Sequence, residues 1–103
     1  MSNWIDIGPI ADLKLDPGAP VHMNGKWLAI FQLEDGYYAI DNACPHASAP
    51  LCDGTLMEGK IVCPLHLWEF DIKTGDCDVG GDWGVQTYPT RVVNDRLEVD
   101  LPL

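Results

Sequence analysis

Positive charge is scarce in this chain: six lysines and arginines face sixteen aspartates and glutamates, which leaves a formal net charge of −10. Nucleic acid is therefore an unfavourable partner, because its phosphates would be repelled by such a surface. A protein partner with a basic face fits better, since complementary charge speeds encounter and orients docking. Simple solubility is the alternative explanation, and the salt dependence of docking would separate the two.

The chain also lacks a long hydrophobic run. No apolar segment approaches the roughly 20 residues that span a bilayer, and residues 1–6 lack the basic and apolar regions of a secretory signal. These absences predict a cytoplasmic protein without membrane association. The chain has 103 residues, 47% of them hydrophobic, which predicts one globular domain over residues 1–103. In so small a domain, a metal cluster would contribute a large share of the stability.

Cysteine is limited to four residues, and two of them belong to related motifs. Cys44-Pro45-His46 is a C-x-H motif, and Cys63-Pro64-Leu65-His66 is a C-x-x-H motif that begins after sixteen intervening residues. Two thiolates and two imidazoles at this spacing suit a [2Fe–2S] cluster whose cysteines bind one iron and whose histidines bind the other. Neutral histidines also make the reduced state easier to reach. The pattern predicts an electron carrier with cofactor and metal ligands Cys44, His46, Cys63 and His66.

Two other uses of these cysteines are chemically reasonable. A Cys₂His₂ set also satisfies a structural zinc site, but zinc fingers pair like residues closely, whereas each motif here is mixed. A visible absorption spectrum separates iron from zinc. Two disulfides of a secreted scaffold fit less well, because the signal is missing and histidines accompany the cysteines. We interpret Cys52 and Cys77 as partly buried thiols rather than as ligands.

Turn signals such as Asp53-Gly54 and Glu58-Gly59 divide the chain into short segments. Many short strands at this spacing predict an all-β sandwich or barrel. Asp35-Gly36 and Asn94-Asp95 predict hairpins, and a turn near residues 10–13 is the one helix candidate. Both Cys/His motifs follow candidate strands, so we expect them at one end of a single small sheet, with a hairpin between them. The candidate strands span residues 4–7, 21–23, 27–33, 37–41, 60–62, 69–72, 86–93 and 96–101.

Further segments extend the pattern of the two motifs: Pro50-Leu51, Asp53-Gly54, Phe70-Asp71, Thr74-Gly75 and Thr87-Tyr88-Pro89. Together they make nearly the whole chain resemble the Rieske [2Fe–2S] family. The resemblance implies an antiparallel all-β sandwich or barrel with a small inserted cluster-binding subdomain, at about residues 42–72 here. It also implies one cluster, with Cys44 and Cys63 on one iron and His46 and His66 on the other.

By size, the chain is most similar to Rieske-type ferredoxins. That resemblance implies a monomeric carrier, not an enzyme, which takes single electrons from a flavin-containing, NAD(P)H-dependent ferredoxin reductase. The acceptor would be a terminal oxygenase or hydroxylase of aromatic hydrocarbon catabolism, either a ring dioxygenase or a toluene-type diiron monooxygenase. His66-Leu67-Trp68 is similar to the monooxygenase ferredoxins. The small Rieske-like subunit of an assimilatory nitrite reductase shares the size and the motifs, and is the alternative.

The chain departs from high-potential respiratory Rieske proteins at four positions. Ala49 and Leu65 stand where those proteins have disulfide-bonded cysteines, and Trp68 and Phe70 stand where they have a Ser and a Tyr that bond the sulfurs. Losing those hydroxyls removes interactions that favour the extra electron, so we predict a low potential. Trp68 itself has two interpretations: a docking residue beside the cluster, or a side chain that packs under the loop.

Overall fold

The architecture is an antiparallel all-β fold, as the sequence predicts. A computed structural model describes residues 3–44, 49–64, 68–78 and 83–101. None of its helical segments in these ranges is long and apolar enough to cross a membrane. The described strands are β1 (Trp4–Pro9), β2 (Ala19–Met23), β3 (Lys26–Leu33), β4 (Gly36–Asp41), β5 (Thr55–Met57), β6 (Lys60–Val62), β7 (Glu69–Asp71), β8 (Thr87–Tyr88), β9 (Thr90–Val93) and β10 (Arg96–Asp100), with 3₁₀ turns at Ile10–Asp12 and Leu51–Asp53.

The strands form three sheets. One sheet has the order β1-β10-β9, a second has the order β2-β3-β4-β8, and a third has the order β5-β6-β7. The third sheet comes from the segment between the first Cys/His motif and residue 71, and so it accompanies the motifs rather than the chain termini. The predicted turn near residues 10–13 is confirmed as the 3₁₀ turn Ile10–Asp12.

Strand β3 links two hydrophobic cores because it is buried on both faces. Successive side chains of a strand point to opposite faces, so Leu28 and Ile30 face one way while Ala29 and Phe31 face the other. All four are fully buried. Leu28 and Ile30 pack with Leu97 of the first sheet. Ala29 and Phe31 pack instead in a second core, which contains these buried residues besides them: Ile40, Cys44, Ala49, Leu51, Cys52, Ile61, Cys63, Phe70, Ile72 and Cys77.

Tight turns set the register of the hairpins. Val93 pairs with Arg96 around Asn94-Asp95, whose φ angles are 51° and 63°. Positive φ at both central residues is the geometry that matches the twist of flanking strands, and asparagine and aspartate tolerate it. Leu33 pairs with Gly36 at the other predicted hairpin. Both hairpin predictions are confirmed.

The predicted strand over residues 86–93 is wrong as a single element. It divides into β8, which pairs with β4, and β9, which pairs with β10 in a different sheet. Pro89 lies at the division, because proline has no amide hydrogen to donate to a ladder. The break allows the chain to pass from the second sheet to the first, which ties the two sheets together.

The expectation that both motifs leave one end of a single sheet is also wrong. The first motif follows β4 of the four-stranded sheet, whereas the second follows β6 of the β5-β6-β7 sheet. The hairpin between them does form, with Thr55 paired to Val62 and Met57 paired to Lys60. Its first strand, β5, has exposed side chains throughout and lacks the alternation that identifies a half-buried strand.

Candidate metal centre

The first motif lies in a loop whose ends are joined by main-chain contacts. After β4 ends at Asp41, Ala43 and Pro50 form an antiparallel bridge. The Cys44 amide then donates a hydrogen bond of 2.9 Å to the Ala49 carbonyl, which closes the loop over residues 44–49. The Cys44 side chain is fully buried. The described part of this loop therefore fixes Cys44 in the core; His46 lies outside the described residues.

The second motif lies in a loop that closes in the same way. Strand β6 ends at Val62, and the Cys63 amide donates a 2.7 Å hydrogen bond to the Trp68 carbonyl, immediately before β7. This closure spans residues 63–68, the same number of residues as in the first loop. Cys63 is also fully buried. His66 and Leu65 lie outside the described residues.

The structure brings the two predicted cysteine ligands into one apolar core. Cys44 and Cys63 both belong to the core that contains Ala29, Phe31 and Phe70. Thiolate pairs are unfavourable in apolar surroundings unless a cation compensates them, and a metal cluster supplies that compensation. Two buried sulfurs from two matched loops therefore fit an iron–sulfur cluster.

Asn42 organises the start of the first loop, and the sequence analysis did not identify it. Its amide donates to the Trp27 carbonyl at 3.0 Å, and its carbonyl accepts from the Leu51 amide at 2.7 Å. Its side-chain Oδ1 accepts a 2.9 Å hydrogen bond from the Cys52 amide. Asn42 is only 8% exposed, so these bonds replace water around a buried polar residue. A polar residue two positions before the first cysteine was the only available sequence signal.

A chain of polar side chains holds the end of β4 just before Asn42. Lys26 Nζ donates to the Tyr88 hydroxyl at 2.6 Å, and that hydroxyl donates to Asp41 Oδ1 at 2.7 Å. Burial raises the pKa of Tyr88, so it keeps its proton and donates at neutral pH. The three residues belong to β3, β8 and β4. They therefore fix three strands of the second sheet where the first loop begins.

Cys52 and Cys77 are thiols in the same core. The Cys52 sulfur donates to Asp53 Oδ1 at 3.8 Å, and the Cys77 sulfur donates to Asp78 Oδ1 at 3.7 Å. Burial, with a smaller effect from Asp53, raises the pKa of the Cys52 thiol. Both are more deeply buried than the partly buried thiols that the sequence predicts.

Trp68 packs against the core instead of projecting into solvent. It is half-buried against the residues around Cys63, and its carbonyl closes the second loop. Its ring meets the ring of Trp83 edge to face, with centroids 5.3 Å apart. Trp83 is the more exposed of the two, at 44%. Of the two interpretations of Trp68, the structure favours packing.

A glycine holds the segment that carries Trp83 against the rest of the centre. The Val85 amide donates to the Gly75 carbonyl at 2.8 Å. Gly75 has φ of +81°, and a Cβ there would lie 2.1 Å from the Val85 carbonyl oxygen. Only glycine fits both the dihedral angle and the close approach. The close approach of Val85 therefore explains why glycine follows Thr74 at this position.

Comparison with known proteins agrees with this geometry. Residues 3–89 match the Rieske [2Fe–2S] domain. The chain belongs to the Rieske [2Fe–2S] family. The ferredoxin component of the naphthalene 1,2-dioxygenase system of Pseudomonas putida is 36% identical over 99 residues, which cover 95% of each chain. A Rieske ferredoxin of this kind carries electrons through one [2Fe–2S] cluster and is not itself an enzyme. This assignment sets zinc aside.

Two solved structures share this fold. A complex of reduced oxygenase and oxidised ferredoxin of carbazole 1,9a-dioxygenase contains a chain with a TM-score of 0.80 and 25% identity, covering 94% of this chain and 92% of that one. A Mycobacterium tuberculosis protein described as an NADH-dependent nitrite reductase small subunit has a TM-score of 0.87 at 23% identity, covering 100% and 98%. The second likeness shows the fold alone. The 36% identity to the naphthalene dioxygenase ferredoxin is what favours the ferredoxins.

The hydrogen bonds of Asn42 generate a prediction about cluster retention. Asn42→Ala leaves the buried Cys52 amide without its acceptor, which costs about 1–3 kcal/mol, and loosens the stem of the first loop. We expect faster loss of the visible absorbance of the cluster during dilution with a chelator. Asn3→Ala is the matched control, because Asn3 Nδ2 donates to the Leu101 carbonyl next to β1 and β10 of the first sheet. Equal rates of cluster loss in the two variants, at equal thermal stability, would contradict a positioning role.

Proposed function

We propose that this chain accepts single electrons from a flavin-containing, NAD(P)H-dependent ferredoxin reductase and delivers them to a terminal oxygenase. It acts as a cytoplasmic monomer, without membrane association and without nucleic acid. The observation that carries the proposal is the pair of closed loops that bring Cys44 and Cys63 into one core, in a chain that resembles dioxygenase ferredoxins over 95% of its length. A bound Rieske cluster supplies reversible one-electron exchange.

We further propose that Cys44 and Cys63 bind one iron and that His46 and His66 bind the other. The support for the cysteines is their common burial and the matching hydrogen bonds to Ala49 and Trp68. The histidines stand two and three residues after those cysteines, within the same closed loops. The buried cysteines would anchor the cluster, and the neutral histidine ligands would make its reduced state easier to reach.

The domain assignment follows from the same elements. We propose one Rieske domain over residues 1–103, with a cluster-binding subdomain at about residues 42–72. Strands β5, β6 and β7 and both loops come from this segment, which supports its treatment as an insertion between β4 and β8. Its core shares Ala29 and Phe31 with the remaining scaffold. The subdomain is therefore packed against the scaffold rather than linked to it flexibly.

The charge distribution supports a partner with a basic surface. The four described ion pairs join cations to carboxylates of the scaffold: Lys26 to Asp41, Lys73 to Asp35, Arg91 to Glu98 and Arg96 to Asp6. These cations are locally compensated, whereas the chain as a whole has ten more negative charges than positive ones. An oxygenase with basic residues around its electron entry point would be attracted over several ångströms.

The ligand set predicts a clear difference among the four cysteines. Cys44→Ser and Cys63→Ser each replace a proposed ligand by a hydroxyl that does not ionise at neutral pH, so we expect loss of the Rieske absorption and electron paramagnetic resonance signals. Cys52→Ser and Cys77→Ser are matched controls from the same core and should retain both signals. Loss of the cluster in the Cys52 or Cys77 variant, with an intact cluster in the Cys44 variant, would contradict the assignment.

The side chains near the second loop predict the reduction potential. Phe70 is fully buried and Trp68 is half-buried beside Cys63, and neither offers a hydroxyl group. Without hydroxyl donors the reduced state gains less, so we expect a midpoint nearer about −150 mV than about +300 mV, the approximate limits of Rieske centres. Protein-film voltammetry measures this value directly. A midpoint well above zero would overturn the prediction.

Reconstitution tests the function itself. The holo protein is combined with a ferredoxin reductase and, in separate reactions, with the oxygenase components of the naphthalene and carbazole systems and of a toluene-type monooxygenase. We expect NADH-driven product formation with at least one of them, and a severalfold slower delivery step as salt rises from about 0.05 to 0.5 M. Turnover confined to a sirohaem nitrite reductase would replace this function by the alternative. If the rate of electron delivery did not depend on salt, the net negative charge would be explained by solubility alone.

A further inference from the structure

The exposed apolar side chains of the described residues are unevenly placed with respect to the cluster loops. Residues 26–27 begin β3 at the end where β4 leaves for the first loop, since Leu28 pairs with Asp41. The opposite end of β3 is Leu33, which lines a groove with Glu58 of the β5–β6 turn. Two exposed tryptophans adjoin the loops, whereas the aliphatic residues lie elsewhere. The exposed large apolar residues are Trp27, Leu56, Met57, Trp83, Val92 and Val93.

Trp27 stands beside the first loop. Its carbonyl accepts the hydrogen bond from Asn42, two residues before Cys44. Its side chain projects from the face of β3 that carries Ala29 and Phe31, which is the face covered by the cluster core. Trp27 nevertheless remains 55% exposed. It therefore lies at the rim of the covered area, just outside the core that holds Cys44.

Trp83 stands beside the second loop. Its ring contacts Trp68, the residue whose carbonyl closes the loop that begins at Cys63. It is 44% exposed. Each of the two exposed tryptophans therefore adjoins one of the two loops.

Both tryptophans are braced by a second ring. The His22 ring lies opposite Trp27 across the β2–β3 ladder, with centroids 4.8 Å apart, and Trp68 braces Trp83 at 5.3 Å. A large side chain that is already held in one orientation loses little entropy when a partner covers it. Tryptophans in such positions are the residues that most often dominate binding energy at protein interfaces.

The acidic residues next to the loops favour a partner with a basic surface. Asp53 follows the first loop, while Glu69 and Asp78 follow the second, joined by a 3.1 Å hydrogen bond from the Glu69 amide to Asp78 Oδ1. The nearby cation, Lys26, lies 3.4 Å from Asp41 and is compensated there. A complementary surface would combine apolar pockets for two indole rings with a basic rim.

We propose that the terminal oxygenase docks over this end of the chain, with Trp27 beside the first loop and Trp83 beside the second as aromatic anchors. The inference rests on the proposed function and adds the surface that recognises the oxygenase. Electron transfer falls off with distance, so each partner must approach the cluster. We assign this surface to the oxygenase because a similar chain lies in a solved complex of oxygenase and ferredoxin. A contact with both tryptophans would bring the acceptor of the oxygenase to the loops and fix the orientation of the two proteins.

The experiment follows the delivery step alone. Reduced holo ferredoxin is mixed rapidly with the oxygenase that supports turnover in the reconstitution, and oxidation of the ferredoxin is followed at rising ferredoxin concentration. We expect Trp27→Ala and Trp83→Ala each to raise the half-saturating concentration about tenfold or more, with the limiting rate little changed. Trp27→Phe and Trp83→Phe should lie between these variants and the wild type. Visible spectra and midpoint potentials should stay the same.

Met57→Ala is the matched control, because Met57 is also 55% exposed but lies on the β5–β6 hairpin. We expect it to change the half-saturating concentration by less than about twofold. If Trp27→Ala does not retain the cluster, the half-saturating concentrations of Trp27→Phe and Trp83→Ala test the proposal instead. Slowing of reduction by the reductase alone, or equal effects of the Met57 and tryptophan variants, would overturn the proposal. A wild-type protein that delivers electrons to none of the oxygenases would instead refute the proposed function.

Discussion

The structure depends on one constraint: two cysteines from different sheets have to meet in a single apolar core. Neither Cys44 nor Cys63 is placed by its own hairpin alone, because the first follows the four-stranded sheet and the second follows the smaller one. Strand β3 makes the meeting possible. It buries Leu28 and Ile30 toward the scaffold and Ala29 and Phe31 toward the cysteines, so one strand positions both layers. A substitution in its centre would disturb the fold and the metal centre together.

Polar contacts add direction to this packing. Burial alone would bring the cysteines near each other but would leave the loop stems free to rotate, because apolar contacts have no preferred angle. Asn42 joins β3 to residues 51 and 52, and the Lys26, Tyr88 and Asp41 side chains join three strands just before it. These bonds specify how the first loop leaves the sheet. The second loop is specified by Trp68, whose carbonyl and ring both contact the centre.

Local sequence signals predicted the features that local chemistry determines. Both hairpins, the all-β class and the chemistry of the two motifs follow from turn residues and ligand types read over a few positions. The division of residues 86–93 between two sheets does not, since Pro89 forbids a ladder hydrogen bond without saying which sheet comes next. The role of Asn42 was equally hidden, because its partners lie at Trp27, Leu51 and Cys52. The exposure of Trp27 also depends on where the cluster core stops covering β3, which no local pattern records.

The hydrogen bonds that close the two loops have a consequence for the speed of electron exchange. Each joins a cysteine amide to a carbonyl of the same loop, and neither group gains or loses a proton at physiological pH. No change of protonation breaks these two bonds, which restrain the loop ends. A carrier whose surroundings barely rearrange has a small reorganisation energy, so it can exchange electrons rapidly with two different partners at a modest driving force. Backbone restraint of the loop ends favours this property, independently of the side chains that select those partners.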